Sequence, residues 1–278
     1  MSTRDVYLHS LYSLDGRAAV VTGGTGVLGR SMATALAMAG ARVAVLGRRG
    51  AVAEEVAAQI RARGGEAMAV PADVLDRDSL VAARERVVSE WQGVHALVNA
   101  AGGNTSAATV GDAADVFSMS ATAFKEVVEL NLTGTLLPSL VFGEAIVKSG
   151  GGAIVNVSSM SASRALTRVA GYGAAKAAVE NLTRSLAVEV GQRHGDSIRV
   201  NAIAPGFFVG EQNRALLLEA DGTPTKRGAA IIEHTPAKRF GVPEDLAGAL
   251  VWLCGPGSRF VNGVVIAIDG GFSAFSGV

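Results

Sequence analysis

The chain has 278 residues, of which 49% are hydrophobic and 18% charged, with 25 Lys and Arg balanced by 25 Asp and Glu. One large α/β unit fits that length better than two independent domains, and a formal net charge of zero gives no overall field to attract nucleic acid or an anionic membrane surface. Apolar runs broken by Gly, Arg or Asp fall short of the roughly 20 residues of a membrane span, no apolar signal core follows Met1, and Cys254 has no second cysteine to pair with. The expectation is therefore a soluble cytoplasmic protein with neither a membrane nor a nucleic-acid partner.

Residues 1–17 are polar and aromatic without a clear period. Ala18-Ala19-Val20-Val21 then runs into a glycine cluster, which reads as a buried strand ending in a tight turn. Further strands are predicted at 42–46, 67–70, 96–98, 153–157, 198–203 and 264–268. Apolar residues at three- and four-residue spacing predict helices at 31–39, 51–62, 78–91, 121–148, 172–193 and 244–253. Strands alternating with helices imply a parallel sheet covered on both faces. The predicted fold is thus α/β, a single doubly wound Rossmann domain of residues 1–278 with a seven-stranded parallel sheet. Two segments break the rhythm, 103–120 and 207–239, the latter polar with a helical patch, and loops of that length usually carry function; the second is the predicted substrate loop.

Thr22-Gly23-Gly24-Thr25-Gly26-Val27-Leu28-Gly29 follows the first strand and opens the first of these helices. Its glycines permit a tight turn and let a pyrophosphate approach the helix N-terminus. Taken alone, the motif also fits a strand-to-helix turn that holds nothing. The second strand ends Leu46-Gly47-Arg48-Arg49, where an NAD site would place an acid on the ribose 2′-hydroxyl. Gly47 leaves room and Arg48 can meet a 2′-phosphate, which favours NADP(H) over NAD(H), although adjacent arginines also commonly just solvate a loop. Asp73 and the Val74 backbone, after the third strand, are candidates for the adenine, and Asn99-Ala100-Ala101-Gly102 brings backbone near a ligand after the fourth. In an open parallel sheet ligands bind at the carboxyl ends of the strands, the edge at which these unusual residues gather.

Tyr172 and Lys176 lie four apart at the start of a predicted helix, on one face, with small residues between them. A phenol of pKa about 10 acts as a base near neutrality only if that value falls by roughly two to three pH units, about 3 to 4 kcal/mol of phenolate stabilisation. A neighbouring ammonium has the right sign, as does an oxidised nicotinamide. Ser159, just past the fifth strand, is placed to polarise a carbonyl, with Ser158 as its competitor. Asn131 interrupts an apolar helical run, either as a satisfied core amide or as the holder of a water linking Lys176 to solvent. The histidines at 9, 95, 194 and 234 lack metal-ligand spacing.

Together the glycine loop, Asn99-Ala100-Ala101-Gly102, Asn131, Ser159, Tyr172-x-x-x-Lys176, Asn201 to Gly206 and Asp269-Gly270-Gly271 resemble the short-chain dehydrogenase/reductase family over nearly all of residues 14–275. The resemblance implies Asn131, Ser159, Tyr172 and Lys176 as a catalytic tetrad and hydride transfer between substrate carbon and nicotinamide C4. It implies a cofactor site of Gly23, Thr25, Gly26, Val27, Leu28, Arg48, Asp73, Val74, Asn99, Ala100, Gly102, Tyr172, Lys176, Pro205, Gly206 and Phe208. It also implies a homotetramer built on the helices 121–148 and 172–193. Two departures stand out: Val27 occupies the usual middle-glycine position, with Gly26 one residue early, and Gly210 stands where a nicotinamide-contacting Thr is usual.

A narrower resemblance, to short-chain-type D-mannonate oxidoreductases (fructuronate reductases), rests on Pro205-Gly206-Phe207-Phe208, Glu211-Gln212-Asn213-Arg214, Arg227-Gly228, His234-Thr235-Pro236, Arg239-Phe240-Gly241 and the ending from Gly271 to Val278. It implies D-fructuronate/D-mannonate as substrate. Asn104, Ser161, Arg168, Gln212, Asn213 and Arg214 are the candidate substrate residues, with Arg164 and His234 also in the loops, and a guanidinium suits a carboxylate. The rival readings are a reductase of another polyol, keto acid or oxoacyl substrate, and a non-catalytic NADP-sensing protein, against which the intact Ser159, Tyr172 and Lys176 argue.

Overall fold

The computed structural model describes residues 2–111, 114–210 and 213–277. Seven strands, β1 (Ala18–Thr22), β2 (Arg42–Gly47), β3 (Glu66–Pro71), β4 (Ala96–Asn99), β5 (Gly152–Val157), β6 (Ile198–Pro205) and β7 (Val265–Ile268), form one parallel sheet in the order β3-β2-β1-β4-β5-β6-β7. The order reverses between β1 and β4, which opens a crevice at their carboxyl ends. Thr22 pairs with Leu46 on one side and Asn99 on the other, so the residues following these strands meet at that crevice.

Because alternate strand residues point to opposite faces, β1 serves two cores. Ala19 and Val21 pack with α2 (Val27–Met38), α3 (Gly50–Ala62) and α10 (Ala247–Cys254) on one face. Ala18 and Val20 pack with α4 (Arg77–Trp91), α6 (Gly134–Lys148) and α7 (Ala170–His194) on the other. Strands buried on both faces read as continuous apolar runs, which made them legible.

The helices depart from expectation in three places. Residues 1–17 contain a helix, α1 (Thr3–Tyr12), closed by a reciprocal capping box in which Asp5 N–H donates to Ser2 Oγ and Ser2 N–H to Asp5 Oδ2. It buries none of its residues, so it shows no apolar period. The predicted helix at 121–148 is α5 (Ala121–Val128), a wider π turn (Glu129–Thr133) and α6. This 28-residue run is long and apolar enough to cross a membrane, contrary to the expectation of short runs only, but half of its most apolar window is buried within the fold. The loop at 207–239 carries α8 (Arg214–Leu217) and α9 (Lys226–His234), and the helix expected at 244–253 begins as a tight 3-10 turn, Pro243–Leu246.

Candidate active site

At the end of β1 the chain turns through Gly23 at φ +63°, where a Cβ would lie 2.7 Å from Ala101 Cα and N. Gly26 N–H donates to Gly23 O at 3.0 Å, and Gly26 caps α2 without any side-chain hydrogen bond. The first backbone N–H groups of α2, at Val27 and Leu28, thus face the crevice as donors for an anion. The shifted glycine spacing is accommodated because Gly29, not residue 27, packs on the Gly23 carbonyl. The space beside Gly47 belongs to the protein itself: a Cβ there would meet Thr25 Cγ2 at 3.0 Å and Oγ1 at 3.1 Å. Arg48 follows β2, exposed and without an ion-pair or hydrogen-bond partner among the described residues. Asp73 Oδ1 accepts from Leu75 N–H at 3.0 Å, which holds the turn after β3, and Val74 is buried.

Asn99 turns its side chain inward. Its Nδ2 donates to Ser139 Oγ and to Asn156 Oδ1, both at 2.9 Å, and Asn156 Nδ2 donates on to Thr183 Oγ1 at 2.9 Å. This ladder ties β4 to β5, α6 and α7, so only the Asn99 backbone and the following Ala100 to Gly102 face the crevice. At β6, a Cβ on Gly206 would lie 2.7 Å from Asp269 Cα. Pro205 and Phe208 are buried beside it, and Gly210 N–H is held by Asn213 Oδ1 at 2.7 Å.

Lys176 and Tyr172 share one face of α7. Lys176 is buried, with Nζ donating to Val157 O at 2.8 Å and sitting 5.6 Å from the Tyr172 ring centroid. Ala108, Ala123 and Val127 pack the Tyr172 ring from the loop after β4 and from α5. Burial lowers the Lys176 pKa to about 8. The Tyr172 phenol is raised, with burial as the largest cause and a hydrogen bond from Ser159 opposing it. Loss of hydration thus outweighs the Ser159 hydrogen bond at the phenol.

The two serines separate cleanly. Ser158 Oγ donates to Glu180 Oε1 at 3.0 Å, whereas Ser159 Oγ accepts from Ser161 Oγ at 3.0 Å and is the hydroxyl that opposes the rise of the Tyr172 phenol. Glu180, four residues past Lys176 on the same helix face, escaped the sequence reading although that spacing was visible. Asn131 sits in the π turn, buried, with Nδ2 donating to Gly103 O at 2.7 Å and Val127 O at 2.8 Å, while Oδ1 accepts from Gly103 N–H at 3.1 Å. Its amide thus clamps the loop after β4 from both sides of Gly103. A Cβ on Gly102 would lie 2.6 Å from Asn131 Oδ1 and 3.2 Å from Lys176 Nζ, so the two converge there.

The candidate substrate residues divide. Asn213 Nδ2 donates to Phe208 O at 2.9 Å, and Asn104 Nδ2 to Thr109 Oγ1 at 2.8 Å, while Asn104 Oδ1 is buried without a partner among the described residues. Arg168, at φ +77°, donates from Nε to Val110 O at 2.7 Å and tethers the loop 103–120. Arg164 Nε donates to Ser273 O at 2.7 Å, tying the C-terminal segment across the site, and Phe272 packs edge-on against Phe207. Arg214 is exposed, and Gln212 lies outside the described residues. Arg227, unremarked as a ligand in the sequence, is half-buried with Nη1 3.4 Å from Thr167 Oγ1. A separate cavity of about 350 Å³, lined by Phe208, Thr235, Arg239 and Asp269 among others, touches none of Asn131, Ser159, Tyr172 or Lys176.

A family model described as Enoyl-(Acyl carrier protein) reductase matches residues 25–273. The chain belongs to the short-chain dehydrogenase/reductase family. As a member it is an NAD(P)-dependent oxidoreductase acting on CH–OH groups. It is 46% identical over 275 residues to the uncharacterized oxidoreductase UxuB of Bacillus subtilis (strain 168), covering 96% of this chain and 98% of that protein. Among solved structures it is similar to a provisionally named D-mannonate oxidoreductase of Haemophilus influenza with bound NAD, at 38% identity and TM-score 0.89, over 98% of this chain and 100% of that one. It is also similar to a gluconate 5-dehydrogenase of Burkholderia cenocepacia J2315 in complex with NADP and tartrate, at 29% identity and TM-score 0.85, over 96% and 99%.

Proposed function

We propose that the protein interconverts a sugar-acid ketone and its secondary alcohol, D-fructuronate and D-mannonate being the leading pair, with NADP(H) as the favoured cofactor. The carrying observation is the Tyr172 phenol between a hydroxyl donor, Ser159, and the buried Lys176 ammonium. When bound, the nicotinamide supplies or accepts the hydride at C4 and, in its oxidised form, adds positive charge beside the phenol. Tyr172 then gives its proton to the nascent alkoxide in reduction and takes it back in oxidation. Ser159 donates to the reacting oxygen, Lys176 stabilises the phenolate, and Asn131 fixes the loop over both.

The crevice fits the cofactor: glycine contacts keep side chains off the Gly23–Leu28 turn, Asp73 and the Val74 backbone suit the adenine, and the backbone of Asn99, Ala100, Gly102, Pro205, Gly206 and Phe208 frames the nicotinamide side. The unpartnered Arg48 supports NADP(H). The NAD bound by the Haemophilus relative supports NAD(H) as the second reading. The sugar-acid reading draws on the relatives' names and on Arg214 and the half-buried Arg227, which has no carboxylate partner among the described residues and suits a substrate carboxylate. The exposed Leu140 and Val188, on α6 and α7, fit a homotetramer through those helices.

The test is a turnover panel of D-fructuronate, 5-keto-D-gluconate and simple keto acids with NADPH and NADH, beside Arg48→Ala. Turnover of fructuronate above the others, and an Arg48→Ala affinity loss at least tenfold greater for NADPH than NADH, are expected. Activity confined to the simple keto acids discards the sugar-acid reading, and equal losses discard NADP preference.

A further inference from the structure

Ser159 has an unusual surrounding. It is the N-cap of a 3-10 turn, Met160–Ala162, and its Oγ accepts twice from one residue: from the Ser161 backbone N–H at 3.2 Å and from Ser161 Oγ–H at 3.0 Å. Ser161 is buried, and no other hydrogen bond of its hydroxyl is formed within the described residues. The nearby serines are engaged elsewhere, Ser158 on Glu180 and Ser163 on Met160 O at 3.3 Å. A hydroxyl has one proton and two lone pairs. With both lone pairs occupied by Ser161, the Ser159 proton has one direction left, outward to Tyr172 and the reacting oxygen.

We infer that Ser161 is a positioning residue that makes Ser159 a one-way hydrogen-bond donor towards Tyr172 and the substrate oxygen. The inference rests on the proposed roles of Ser159 and Tyr172 and replaces direct substrate contact as the role of Ser161. A hydroxyl that accepts two hydrogen bonds is also polarised into a stronger donor. Proton balance is simple: in reduction the substrate oxygen gains the Tyr172 proton, while Ser159 keeps its own and only donates. Without the Ser161 hydroxyl, one lone pair of Ser159 is free, and Ser159 can turn to accept from neutral Tyr172 and thereby favour the phenol over the phenolate. The charged group facing Tyr172 is Lys176 on its own helix, while Ala108, Ala123 and Val127 face it from the neighbouring loop and α5, so the substitution changes no charge around the phenol.

The experiment compares wild type, Ser161→Ala, Ser161→Thr and Tyr172→Phe with NADPH and D-fructuronate, using 5-keto-D-gluconate if it is the better substrate. Ser161→Ala is expected to lower kcat about tenfold, with KM and NADPH affinity within about twofold. The alkaline limb of its kcat profile moves to higher pH, because the phenolate has lost its steered donor. Ser161→Thr restores both. An unchanged kcat and profile in Ser161→Ala, or a loss that Thr fails to rescue with the limb unmoved, overturns the inference while leaving Tyr172 in place. Full activity in Tyr172→Phe instead overturns the proposed mechanism itself.

Discussion

Replacing Lys176 by methionine should abolish turnover yet leave the cofactor-free fold at least as stable at neutral pH. Burial lowers the Lys176 pKa from 10.5 to about 8. Between those values the unfolded chain holds a proton that the folded chain has released, so stability rises with pH across that window and is lower by the full amount beneath it. At about 1.4 kcal/mol per pH unit, the buried ammonium destabilises the fold by about 3 kcal/mol at pH 7. Methionine is of similar length and uncharged, but it leaves the Val157 carbonyl without the donor now 2.8 Å away, a loss of about 1–3 kcal/mol. The net change at pH 7 is a gain of about 0–2 kcal/mol. From pH 7 to about 9.5 the wild type should recover about 2 kcal/mol relative to the variant. Reversible urea denaturation of both cofactor-free proteins over a pH series measures this difference directly, since other titrating groups cancel. Parallel stability profiles would refute the reasoning.

Further outcomes are as specific. Gly29→Ala puts a Cβ into the Gly23 carbonyl, and should weaken NADPH binding at least tenfold in a fluorescence titration while the circular dichroism of the fold persists; unchanged affinity would mean the turn does not carry the pyrophosphate. His95 accepts from Ala18 N–H at 3.1 Å, and burial, then Arg17 and Arg42, hold its pKa below 6.5. The unfolded chain therefore takes up a proton first as pH falls below 6.5, and stability drops there; His95→Gln should flatten that acid slope in denaturation midpoints, and an unaltered slope counts against it. Burial pushes the Cys254 thiol up to about 12, so a thiol reagent at pH 8 should label it only after denaturant is added; prompt labelling of the native protein contradicts this.

The strands and the crowded carboxyl edge were legible because burial on both faces leaves an unbroken apolar signature and because tight turns demand glycine. Helix α1 was not, since a helix that buries nothing has no apolar period; its readable signal was Ser2 with Asp5 three residues on, a capping box. The π turn was hidden because Val127, Val128, Leu130 and Leu132 keep the run apolar whichever way the helix winds. Residue types pointed to the amides Asn104 and Asn213 as ligands, and the folded loops add what sequence could not show: Asn213 bonds its own loop through both amide atoms, whereas Asn104 uses Nδ2 on Thr109 and keeps Oδ1 buried without a partner among the described residues. Ser158 and Ser159 were likewise indistinguishable until α7 brought Glu180 to one of them.

The π turn also sets the phase of one helix against the other. A single extra residue advances the winding by about 100°, so α5 and α6 present differently indexed faces: Ala123 and Val127 meet Tyr172, while Val141, Phe142 and Ala145 meet the sheet. Removing one residue between 128 and 134 would leave hydropathy and length almost untouched, yet would swing α5 by more than a quarter turn relative to a fixed α6. The run therefore behaves as two separately keyed shafts on a single axle, and its reading frame of side chains is a feature that substitution scanning, which never changes the count, would pass over.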